Sequence, residues 1–198
     1  LCPGSTVPRD LDLPGRKLAG IIFAKEYLQA ATVALLNTTD TPAKLNAHGK
    51  NVVIIGGGDT GTDCVATAIR QGCKSVKQLE IMPCLPGARP LNTPWPLFPQ
   101  THKIDYGQAE ALELYHSDPR EYCVLTKEFI GQNTVCGLKT VKVNLCDGKL
   151  VPVADTQQIH PAEMVILAMG FVGTEQNLLD AFGVSRTAKG TIAVHNDT

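Results

Sequence analysis

Residues 56–61 read Gly56-Gly57-Gly58-Asp59-Thr60-Gly61 and place glycines at the spacing G-x-G-x-x-G. A short apolar run, Val52-Val53-Ile54-Ile55, leads straight into this segment, and a helix-forming stretch from Thr60 to Gln71 leads straight out of it. The spacing alone carries little information in a glycine-rich chain, but its place between a buried strand and a helix gives each glycine a task. Gly56 permits a tight turn out of the strand. Gly58 lets the backbone approach a pyrophosphate with no Cβ in the way. Gly61 lets the helix pack closely on the strand. N–H groups of the first helical turn then face an anion with the positive end of the helix dipole. Gly56, Gly57, Gly58, Asp59, Thr60 and Gly61 are therefore the candidate cradle for a dinucleotide. The alternative is a tight glycine turn without a ligand.

Such a unit places a carboxylate about 20 residues further on, at the end of the second strand, where it accepts hydrogen bonds from the adenosine ribose hydroxyls. Glu80 stands there. A carboxylate suits a free 2′-hydroxyl and repels a 2′-phosphate, and its neighbours Ile81 and Met82 stand where a phosphate site would want arginine. This favours NADH over NADPH, with Lys77 and Arg89 as the cations that could still reach a phosphate. The alternative for Glu80 is a solvent-facing carboxylate at a strand end. No other constellation stands out. The histidines at 48, 102, 116, 160 and 195 are scattered, and no cysteine pair has C-x-x-C spacing, so no metal site is expected. Asp63 suits the helix dipole, Cys64 reads as a packed thiol, and Trp95 reads as an anchor of its Pro-rich loop against the core.

The elements that must position these residues are legible in outline. Leu18–Leu36 has the apolar spacing of a helix, 51–55 reads as a buried parallel strand, Thr60–Gln71 as a helix closed by Gly72, and Ser75–Met82 as the next strand. Residues 83–105 are a long loop with six prolines, and 108–116 a short helix. From 122 to 153 the pattern is three antiparallel strands with turns at 131–133 and 147–148. A buried strand at 164–170 and a helical segment from Thr174 follow. Strand, glycine turn, helix, strand, meander, strand predicts an α/β fold: a Rossmann-like, three-layer nucleotide-binding domain with an antiparallel β meander.

With 198 residues, 18 Lys and Arg against 19 Asp and Glu, and 43% hydrophobic residues, the chain predicts a globular protein with a real core. Near-neutral charge gives no general attraction to nucleic acid or anionic lipid. The longest run free of charged residues and histidine, Tyr27–Thr39, is too short and polar to span a bilayer, so no membrane association is expected. Seven separated cysteines suit reduced thiols in a cytosol-like, cytoplasmic compartment. The opening residues, which do not begin with Met, predict no secretory leader, and the chain reads as a segment of something longer.

GGGDTGTDCVATAIRQG, NTPWPLFP, DYG, DPREY, TKEFIG and ILAMGFVGTEQ together resemble the NAD(P)H-oxidising part of glutamate synthase. That part is the small subunit in bacteria, or the C-terminal region of the single-chain NADH enzyme in eukaryotes. The LEIMP strand end, without paired arginines, is more similar to NADH-type members. The resemblance implies a NAD(P)H domain inserted into an FAD domain. Residues 1–47 are then connector and helix from the FAD-domain side, 48–168 the NAD(P)H-binding domain, and 169–198 the return segment toward an FAD-domain remnant. Pro3-Gly4 to Gly15 and Ala168-Met169-Gly170 match the two connectors.

The family's FAD glycine motif, its closing G-D segment and its iron–sulfur cysteines are expected outside this piece, which by itself is expected to be inactive. The resemblance implies hydride passing from NADH, or NADPH, to FAD, then electrons through iron–sulfur clusters to FMN in the glutamine-consuming large subunit or region, where 2-oxoglutarate becomes glutamate. Hydride transfer between two cofactors needs no protein acid or base, so no catalytic residue is named. The partners implied are the rest of the FAD domain and that large subunit or region, with a plastid location open if a transit segment preceded. The alternatives are a nicotinamide-binding module of a pyrimidine-reducing or ferredoxin-linked flavoenzyme, and a non-catalytic scaffold that contacts partner subunits.

Overall fold

A computed structural model describes residues 4–188 and 191–194; Cys2, Pro3 and His195, named above, lie outside the described residues. In chain order the elements are β1 (Val7–Pro8), β2 (Ile21–Phe23), α1 (Ala24–Leu36), β3 (Asn51–Ile55), α2 (Asp59–Arg70), β4 (Ser75–Leu79), α3 (Tyr106–Tyr115), β5 (Arg120–Glu121), β6 (Val124–Gly131), β7 (Val135–Cys146), β8 (Lys149–Pro152), β9 (Gln158–Pro161), β10 (Met164–Leu167), β11 (Phe171–Gly173) and α4 (Gln176–Ala181). The chain divides after Leu11 and after Ala168 into two compact units. In the smaller, β1 pairs antiparallel with β11, and Thr174 Oγ1 donates to the Gly4 carbonyl at 2.6 Å.

The larger unit is built on a five-stranded sheet in the order β2-β10-β3-β4-β5, parallel at every pairing. Its central strands have no polar residue from Val52 to Ile55 or from Met164 to Leu167, and all eight side chains are buried. That is the signature of strands covered on both faces. On one face Val52, Ile54, Met164 and Ile166 pack with Tyr27 of α1, Cys64, Val65 and Ala68 of α2, and Ala111 of α3. Val53 and Val165 are as deeply buried on the opposite face, where β7 packs against β10. There β6, β7 and β8 form an antiparallel sheet to which β9 adds on β7. Helices, parallel sheet and antiparallel sheet make three layers, the α/β class expected from the sequence. No helix among the described residues is long and apolar enough to cross a membrane.

Several elements differ from expectation. The helix expected from Leu18 begins at Ala24, because Gly20 (φ +90°) turns the chain and Ile21–Phe23 pair in parallel with Val165–Leu167. Residues 12–47, assigned by the sequence to the FAD-domain side, therefore lie in the larger unit, with β2 in its sheet. The boundary expected between residues 47 and 48 does not coincide with the division at Leu11. Strand β4 ends at Leu79, three residues early, and β1, β5, β9 and β11 are additions of two to four residues. The hairpin at Asp147-Gly148 is formed as expected, both residues taking the positive φ of a tight turn.

Candidate functional site

The glycine turn leaves β3 at Ile55 and enters α2 at Asp59. Gly56 has φ +127°, a conformation that suits glycine, and its N–H donates to the Leu79 carbonyl at 2.8 Å. Gly61 is buried against the turn: a Cβ there would stand 2.3 Å from the Gly56 carbonyl oxygen. At Gly57 a Cβ would stand 2.3 Å from the Glu80 carboxylate, whereas at Gly58 it would meet nothing within 4 Å. Gly58 precedes α2 with extended backbone, and no side chain caps the helix, so its first N–H groups have no side-chain acceptor competing for them.

Gly57, Gly58 and Asp59 form one wall of a cleft of about 410 Å³, a volume in the range of small-molecule sites. Glu80, Arg120 and Tyr122 supply the strand-end side, Gln108 the side at α3, and Met82, Leu85, Phe98, His102 and Lys103 come from the long loop. Of the sequence-predicted residues, Gly57, Gly58, Asp59 and Glu80 are thus brought together on the cleft. Gly56, half-buried, and Gly61, buried, are not on its wall, and neither is exposed Thr60. The Asp59 carboxylate has the same sign as a phosphate, so this residue suits an anion through its backbone N–H only.

Glu80 follows directly after β4. Its Oε2 accepts from Gly57 N–H at 2.7 Å and its Oε1 from Met82 N–H at 2.7 Å. Each carboxylate oxygen can accept more than one hydrogen bond, so this clip leaves acceptor capacity toward the cleft. The two cations held in reserve by the sequence are engaged elsewhere: Lys77 pairs with Glu121 at 2.5 Å, and Arg89 donates to the Thr93 and Leu97 carbonyls at 2.8 and 3.0 Å.

Arg120, which the sequence reading did not single out, faces the cleft with its side chain 8% exposed. It forms a two-point pair with Asp118 and donates to the Lys103 carbonyl at 2.7 Å. Burial works to raise the Asp118 carboxyl, but hydrogen bonds from Arg120 outweigh it and hold the group below its ordinary range. Arg120 is thereby largely neutralised, and Lys103, whose ammonium lies 4.9 Å from the centre of the Phe98 ring, is the cleft cation that pairs with no carboxylate among the described residues.

Trp95 corrects an expectation: it is 83% exposed and does not anchor the loop. The loop is held instead by Arg89 and by the His102 N–H to Pro86 carbonyl bond. Cys64 is a packed thiol, pushed up in pKa by burial. Asp63 accepts a hydrogen bond from the Tyr106 hydroxyl of α3. Among the described residues no group of three or more His, Cys, Asp or Glu is placed to hold a metal ion.

A dinucleotide fits this arrangement: a side-chain-free approach at Gly58, a helix N-terminus behind it, an acidic residue 23 positions after Gly57, and an apolar far wall. No model of a known protein family matches the chain. It is 41% identical over 98% of its length to glutamate synthase [NADH] of Saccharomyces cerevisiae, and 38% identical over all of its length to the glutamate synthase [NADPH] small chain of Bacillus subtilis. It spans only 9% of the yeast protein and 42% of the bacterial one. The solved structure of Mycobacterium tuberculosis FprA in complex with NADPH is similar in fold, with a TM-score of 0.61 at 15% identity over 98% of this chain and 54% of that one.

Proposed function

We propose that this chain, homologous over its length to one segment of the glutamate synthases, is the segment of such an enzyme that binds the nicotinamide dinucleotide. The supporting observation is at the glycine turn: Gly58 opens on the cleft with space where any other residue would carry a Cβ, while Gly57 is closed by Glu80 and Gly61 by the Gly56 carbonyl. Backbone N–H groups at Gly58 and Asp59 hold the pyrophosphate. Glu80 accepts from the adenosine ribose hydroxyls with the acceptor capacity left by Gly57 and Met82, and repels a 2′-phosphate, which makes NADH the preferred dinucleotide. Lys103 supplies the opposing charge. This chain's residues would bind and orient the dinucleotide, whose dihydronicotinamide would supply hydride for the FAD of the complete enzyme; no acid or base is required of them.

The wider setting is the one the family resemblance implies. The complete enzyme would contain the rest of the FAD domain, iron–sulfur clusters, and an FMN-bearing glutamine-consuming region that forms glutamate from 2-oxoglutarate. Its compartment would be the cytoplasm, or a plastid. Calorimetric titration of the protein with NADH and NADPH, beside a Gly58→Val variant, tests the assignment. NADH is expected to bind more tightly than NADPH, and valine to abolish binding of both; unchanged NADH binding in Gly58→Val ends the glycine-turn assignment. Glu80→Ala is expected to narrow the NADH preference, and an unaltered ratio removes Glu80 as its source.

A further inference from the structure

Beneath the glycine turn, and reaching the cleft wall at Gln108, runs a polar chain that the dinucleotide assignment does not use. Gln78, the penultimate residue of β4, and Gln108, in the first turn of α3, are both buried. Their amides are hydrogen-bonded in one direction. Asp105 N–H donates to Gln108 Oε1 at 3.3 Å, Gln108 Nε2 donates to Gln78 Oε1 and to Thr62 Oγ1 at 2.9 Å each, and Gln78 Nε2 donates to the Gly56 carbonyl at 2.9 Å. Because Gln108 donates to the oxygen of Gln78, the amide nitrogen of Gln78 is the end turned toward Gly56.

The consequence falls on one peptide group. The carbonyl of the Gly56–Gly57 peptide is held by Gln78, and its N–H by the Glu80 carboxylate at 2.7 Å. Pinned at both ends, that plane cannot turn over. A peptide between two glycines otherwise has little steric reason to keep one orientation. Turned over, it would put its carbonyl where the Gly57 N–H now meets the Glu80 carboxylate, replacing attraction by repulsion in the turn that must deliver the Gly58 and Asp59 N–H groups.

We propose that Gln78 and Gln108 are positioning residues of the dinucleotide site, fixing the Gly56–Gly57 peptide so that its carbonyl stays buried and the turn presents only donors to the pyrophosphate. This rests on the dinucleotide assignment. Gln78 lies off the cleft wall and Gln108 borders it, and the role proposed for both runs through the Gly56–Gly57 peptide. The sequence shows the feature only as a glutamine two residues before Glu80 and another at the start of the helix after the long loop.

The test uses the full chain with three ligands: NADH, ADP-ribose, which keeps the pyrophosphate, and adenosine, which has no phosphate. Gln78→Leu removes the donor to Gly56, and Gln108→Met keeps the volume and removes the link that orients Gln78. Both are expected to weaken NADH and ADP-ribose by about tenfold, the effect of one misplaced buried hydrogen-bonding group, and to leave adenosine unchanged. Wild-type affinity for NADH and ADP-ribose in a folded Gln78→Leu or Gln108→Met protein overturns the proposal. So does an equal loss for adenosine, which would mark a general loosening of the site. Should Gln78→Leu fail to fold, Gln108→Met decides. If the wild-type protein itself binds neither NADH nor ADP-ribose, the dinucleotide assignment fails and takes this proposal with it.

Discussion

Gly57 and Glu80 constrain each other more tightly than a cofactor contact would require. The Glu80 carboxylate sits so close over Gly57 that an added Cβ would meet its Oε2 at 2.3 Å and its Cβ and Cγ at 2.9 Å. An alanine at 57 therefore displaces the Glu80 side chain and breaks the Gly57 N–H bond to it. Overpacking of this kind costs about 1–3 kcal/mol. Gly57→Ala should lower the thermal midpoint and weaken NADH together. Combined with Glu80→Gly, which removes the colliding atoms, its stability cost should be clearly less than additive in a thermal double-mutant cycle. Additive costs would mean that the two residues do not touch. The spacing of the glycines was legible in the sequence, and so was an acidic residue at the right distance. The direct clip between them was not, because it depends on how β4 ends at Leu79 and turns Glu80 back across the neighbouring strand end.

Elements long enough to carry a period, and punctuated by glycine or proline, were legible in the sequence: β3, α2 with Gly72 beyond it, the two long meander strands, and β10. The short ones were not. β5 is two residues whose strand character comes wholly from pairing with Gln78 and Leu79, and β2 was hidden inside a helical apolar pattern that Gly20 interrupts. The N-terminus of α3 was missed by two residues, and it carries a signal that the sequence does contain. Asp105 accepts from Tyr106 N–H at 2.7 Å, and with Gln108 three residues on it forms a capping box. Asp105→Ala should cost about 1 kcal/mol of stability, and Asp105→Ser much less, measured by denaturant unfolding. Gln108 accepts from the Asp105 backbone N–H, which alanine keeps, so NADH affinity should stay near wild type, and a marked loss would show that the side-chain cap also sets the place of Gln108.

In the larger unit, the sheet face turned away from the helices is covered by antiparallel strands that carry a polar patch of their own. His160 of β9 and Thr140 of β7 are buried there with His160 Nε2 3.0 Å from Thr140 Oγ1, and the Thr126 hydroxyl beside them is buried without a partner. A histidine on an exposed strand pattern gave no hint of this, since burial was decided by β9 adding to a meander that was expected to end at residue 153. Burial holds the His160 imidazole below its ordinary value of 6.5; Glu121 works against the shift, and Lys77 and Lys142 add to it. The unfolded chain thus takes up this proton at higher pH than the folded one does. Stability from the neutral imidazole is complete above about pH 6.5 and is lost as pH falls below that, down to the folded value. The depressed carboxyls of Asp118 and Glu121 lose their contribution in a separate window, below their ordinary values of 3.8 and 4.5. Thermal midpoints recorded from pH 7.5 to 5 should therefore fall for the wild-type protein. His160→Gln, which keeps a partner for Thr140 and cannot take the proton, should flatten that slope while lowering stability at neutral pH only modestly. Parallel slopes in the two proteins would show that the interlayer histidine does not govern acid sensitivity in this range.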